Sequence, residues 1–145
     1  MTCVKSPSAK QHFPLLDGSN HHKTSPCDRG YNCIAWAAGD SSQLWWPAEA
    51  YWPPGVSIAL RLESFIDAFR TLNYEVCDNP KFEDGFEKIA IYTDATGEPT
   101  HAARQLSDNV WTSKLGKNID IEHSIDAVDG PLYGTIAVFM RRPVQ

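Results

Sequence analysis

Apolar residues recur along this chain at two periods, and the change of period divides it. From Ser57 to about Asn73 the spacing is helical. Ile58, Leu62, Phe65, Ile66, Phe69 and Leu72 fall on one stripe, and Arg61, Glu63, Asp67 and Arg70 face water. Ser57 is the expected cap of this packing helix. From Phe86 to Thr93 the period shortens to two, which predicts a strand with Ile89 and Ile91 on one face and Lys88, Ala90 and Tyr92 on the other. Asp94 to Pro99 is a turn-rich connector. Thr100 to Leu106 and Val110 to Leu115 read as two strands joined by a tight hairpin at Ser107-Asp108-Asn109. Asn118 to Val128 is expected to hold one or two helical turns. Thr135 to Met140 is a final buried strand before Arg141 and Arg142.

A second, shorter helix is predicted at Tyr31-Asn32-Cys33-Ile34-Ala35-Trp36-Ala37-Ala38-Gly39-Asp40. Asn32 is a good N-cap, alanine is the best helix former, and Gly39 suits the stop. Cys33 then sits in the first turn, where unpaired N–H groups favour thiolate over thiol. A cysteine between apolar neighbours also commonly just packs.

These elements predict an α+β domain over residues 30–145, with N-terminal helices packed on an antiparallel sheet of about four strands. Residues 1–29 lack periodicity and carry Pro7, Pro14, Gly18 and Pro26, so they read as an extended arm that Phe13, Leu15 and Leu16 could pin. Residues 41–55 are a tryptophan- and proline-rich loop: Trp45, Trp46, Tyr51 and Trp52 with Pro47, Pro53 and Pro54. Its rings either wall a substrate groove or cover the core.

The chain has 145 residues, 42% of them hydrophobic and 21% charged, and fits one soluble domain. A net charge of −5 argues against a nucleic-acid partner, and no apolar run approaches a membrane span. The four cysteines, Cys3, Cys27, Cys33 and Cys77, are too few and too irregular for a disulfide framework. With no secretory signal, this points to a reducing cytoplasm, and signal-less export stays open. His21, His22, Cys27 and Cys33 have zinc-ligand chemistry, but the Cys27–Cys33 gap is wider than a chelating loop, so neither metal nor cofactor is expected.

A thiol nucleophile needs a base, and the base needs an orienting group. Of the five histidines, His101 opens a strand after a turn, while His12, His21 and His22 lie in the arm and His123 is expected on the surface of a short helix. A hairpin turning at Asp108 puts His101 opposite Leu115, on one face with Ser113 and Trp111. Ser113 would then orient the imidazole. A bulge at Gly116 would instead bring in Asn118.

A helix-borne cysteine with Trp36 three positions on, then a strand-borne His and a polar residue on the next strand, resembles the papain-like clan of cysteine hydrolases. Compact bacterial NlpC/P60-type members are nearest in size. The stretches Y-N-C-I-A-W-A, F-E-K-I-A-I-Y, T-H-A-A-R-Q-L and W-T-S-K-L-G also resemble a small uncharacterised bacterial domain family, from about residue 28 onward. The papain-like resemblance implies a cysteine peptidase or amidase, with departures. Lys88 stands where such enzymes carry the strand histidine, and the glutamine preceding the cysteine is absent.

Two functions follow as expectations. In the first, a thiol-dependent hydrolase or acyltransferase cleaves an amide or ester. Cys33 attacks, His101 relays the proton, Ser113 or Asn118 orients it, Asn32 helps the oxyanion, and Trp36, Trp45, Trp46 and Trp52 bind a peptide or protein substrate. In the second, the chain is a non-catalytic protein- or peptide-binding module that uses the Trp/Pro-rich loop, and Cys33 only packs. Oligomeric state is not legible.

Overall fold

This computed structural model describes residues 21–25, 32–114, 120–123 and 134–144. Two short helices lie on a single antiparallel sheet, an α+β arrangement. The helices are α1 (Cys33–Ala38) and α2 (Leu62–Arg70). The strands are β1 (His21–Ser25), β2 (Glu75–Cys77), β3 (Phe86–Thr93), β4 (Pro99–Ser107), β5 (Val110–Lys114), β6 (Asp120–His123) and β7 (Thr135–Pro143). They form one seven-stranded sheet in the order β1-β6-β5-β4-β3-β7-β2.

The sheet is therefore larger than the expected four strands. Residues 120–123 form β6 where helical turns were expected, and residues 21–25 of the expected arm form β1, with His21 opposite His123. The rest of residues 1–29, with Cys3, Phe13 and Cys27, lies outside the described residues, as does Asn118.

Local chemistry explains both helices. The Asn32 side-chain oxygen accepts the Ala35 N–H at 3.0 Å and starts α1. Gly39, at φ 85°, closes it by donating to the Trp36 carbonyl at 3.1 Å. α2 is shorter than its stripe. The Ser57 hydroxyl accepts from the Ala59 N–H at 3.2 Å in a local turn, so it does not cap the helix, and Ile58 is left 62% exposed. α2 buries Phe65 and Phe69, each of which stabilises by roughly 1.5–3 kcal/mol.

Side chains alternate between the faces of the sheet. The helix-covered face carries Ile89, Ile91, Ala102 and Met140, packed with Cys33, Ile34, Ala35, Phe65, Phe69 and Tyr74. The opposite face carries Tyr92, His101, Ala103, Trp111, Ser113 and His123, all buried. Among the described residues, no helix is long and apolar enough to cross a membrane.

Candidate functional site

Cys33 begins α1, as its sequence context predicts, but its surroundings reverse the expected chemistry. It is 5% exposed, inside the core between α1 and the sheet. Burial pushes its thiol up to about 11, and weaker hydrogen bonding from the backbones of Ala102, Ile34 and Cys33 itself does not offset this. A helix of only six residues has too small a dipole to outweigh that desolvation.

Alternation along β4 then separates the expected dyad. Ala102 faces α1 and meets Cys33, so His101 points through the sheet to the other side. The neighbouring strand agrees. Thr112, on the helix side, accepts a hydrogen bond from the Trp36 indole nitrogen at 3.0 Å, while Ser113 faces away. Cys33 and His101 are thus not brought together.

His101 and Ser113 do meet. The His101 Nε2 lies 2.9 Å from the Ser113 hydroxyl, and the same oxygen lies 2.6 Å from the Nε2 of His123. One hydroxyl can donate to one imidazole while accepting from the other, so two neutral rings of opposite tautomer satisfy this chain. Burial, and then the nearby His123, hold the His101 pKa well below its ordinary 6.5. Tyr92 packs edge-on against His101, with ring centres 5.2 Å apart. His123 is thus a buried strand residue and not a surface helix residue. Its signal was parity, since β6 sets it opposite Trp111.

The remaining expected site residues are largely structural. Asn32 ties α1 to the loop: its Nδ2 donates to the Trp45 carbonyl at 2.8 Å, and its oxygen also accepts the Trp45 N–H at 3.2 Å. Trp45 is buried and donates to Asp40 at 2.9 Å. Burial opposes ionisation of Asp40, but donors from Ser42, Trp45 and Gln43 hold its carboxyl well below the usual range. Trp46 and Trp52 set their edges on Phe65, at 5.4 Å and 4.9 Å between centres. The Arg104 guanidinium lies over Trp36 at 5.0 Å.

Sequence reading also missed Lys88. It is fully buried, yet satisfied by Glu83 at 2.7 Å and by the Asn79 carbonyl and side-chain oxygens at 3.1 Å. The strand pattern put Lys88 opposite Ile89 but could not show that loop residues 79–83 fold over it. Among the described residues, no group of three or more His, Cys, Asp or Glu is arranged to hold a metal.

One family covers most of the chain. The family described as "Domain of unknown function (DUF7689)" matches residues 22–141, and the chain belongs to it. No curated protein matches the chain. No solved structure matches it either.

Proposed function

We propose that this member of the DUF7689 family is a non-catalytic protein- or peptide-binding module that works through the outer surface of its Trp/Pro-rich loop. One observation carries the reading: Tyr51 in that loop, and Ile58 and Leu60 just after it, are 40%, 62% and 38% exposed. Exposed apolar side chains so close together in the chain favour association. Their support is rigid. Trp46 and Trp52 anchor on Phe65, the Tyr51 N–H donates to the Leu44 carbonyl at 3.1 Å, and the Trp52 indole donates to the Ser57 carbonyl at 2.9 Å. A surface already ordered gives up little conformational entropy on binding.

The thiol-hydrolase reading, with its papain-like and NlpC/P60-type resemblance, is the weaker one. It requires Cys33 to leave the core and a base other than His101 to reach it. The free thiols of Cys33 and Cys77 support the cytoplasm as the location.

A photo-crosslinking residue placed at Ile58 in the source cells tests the proposal, with the same residue at the exposed Asp84 as control. The binding reading predicts a discrete protein adduct at position 58 that is lost on Leu60→Asp. No adduct, or the same adducts at position 84, overturns it.

A further inference from the structure

The groups that satisfy the buried Lys88 also form a reactive set. Its Nζ lies 3.1 Å from the Asn79 side-chain oxygen and 2.7 Å from a carboxylate oxygen of Glu83. Lys88 is fully buried, so its amine has little freedom to swing away from these two groups. The Asn79 side-chain oxygen also accepts the Lys81 backbone N–H at 3.0 Å, which fixes the orientation of the amide and polarises its carbonyl. Arg141 steadies Glu83 by donating to its other oxygen at 2.6 Å. A cleft of about 430 Å³ is lined by Asn79, Glu83 and Arg141. Pro80 follows Asn79 and has no backbone N–H, so the asparagine cannot lose its amide to the next nitrogen along the chain. An amine, a carboxamide, a carboxylate and an oxyanion donor thus stand together in one place, which is the set that amide exchange needs.

The geometry points to a covalent cross-link here, an amide bond between the Lys88 Nζ and the Asn79 side-chain carbonyl carbon, formed with loss of ammonia. Glu83 first takes a proton from the Lys88 ammonium. The freed lone pair forms a bond to the Asn79 carbonyl carbon, while the Lys81 N–H stabilises the negative charge on oxygen. As the carbonyl re-forms, the Cγ–Nδ2 bond breaks and Glu83 passes its proton to the departing nitrogen. The new amide nitrogen then gives up its extra proton, through Glu83, to the ammonia, which leaves as ammonium by the cleft. One ammonium and one carboxamide become one amide and one ammonium, so no oxidant or cofactor enters. The product replaces a buried charge with a neutral group. It also ties the loop over Lys88 to β3, between residues nine positions apart.

Intact mass spectrometry of the full chain under denaturing conditions reads the bond directly. The expected mass falls short of the sequence mass by one ammonia. Trypsin should then yield a branched peptide joining residues 71–81 to residues 82–104, because an amidated Lys88 is not cut. Glu83→Gln and Asn79→Ala should each return the chain to its own sequence mass, with residues 82–88 and 89–104 as separate linear peptides. The unsubstituted protein decides the matter even where a variant fails to fold. Its full sequence mass after days in the folded state overturns the proposal. An ammonia loss carried on linear peptides, or a branch at other residues, overturns it too.

Discussion

Cys33 and His101 stand on opposite faces of one sheet. The Cys33 thiol rests against the backbone of Ala102, while His101, one residue earlier, turns the other way to Ser113 at 2.9 Å. A shift of one residue on β4 would have placed an imidazole over the thiol. As the strand is set, each group has a packed environment of its own. The thiol is a core residue under α1, and the imidazole is one end of a buried His–Ser–His chain.

That chain predicts a dependence on acid. Well above pH 6.5 His101 is neutral folded and unfolded. As the pH falls below 6.5, the unfolded chain takes up a proton that the folded protein refuses, because burial depresses the folded pKa. Stability should then drop by up to about 1.4 kcal/mol per pH unit for this group, and His101→Gln should flatten that slope. Ser113→Ala should cost about 1–3 kcal/mol at pH 7.5, by leaving two buried imidazole nitrogens without their shared partner. Urea melts from pH 7.5 down to 5 measure both.

Lys88 makes an asymmetric prediction. Glu83→Gln leaves a fully buried ammonium without its carboxylate, whereas Lys88→Met removes the buried charge and keeps the volume. Glu83→Gln should therefore lower the urea midpoint more than Lys88→Met does. The opposite order would show that Lys88 is not held by Glu83 in solution.

How far the sequence could be read depended on whether a contact is local. The α1 cap at Asn32, the stripe over Phe65 and Phe69, and the alternation of Ile89 and Ile91 all follow from neighbours a few residues apart. The hairpin register was local enough to bring Ser113 to His101. What failed was long-range. β6 is only four residues and pairs with both β5 and β1, so nothing in 120–123 alone marks a strand. β2 is three residues at a sheet edge. The order Cys, His, polar residue suggested a dyad, but order along the chain does not say which face of β4 receives α1.

Gly134 offers a check on the packing of β7. Its φ is 81°, and an added Cβ would strike the Thr93 carbonyl. Gly134→Ala combines backbone strain with that collision, so it should cost about 1–3 kcal/mol in a thermal or urea melt. A neutral result would mean that β7 enters the sheet differently.

The most direct test of Cys33 as a sealed core residue is its alkylation by iodoacetamide across pH, read by peptide mapping beside Cys77. Folded protein between about pH 7 and 9 should label Cys77 and spare Cys33, which should react only once urea unfolds the chain. Rapid labelling of Cys33 in the folded protein, with an apparent pKa below the free-thiol value of about 8.5, would contradict the account and restore the thiol as a nucleophile.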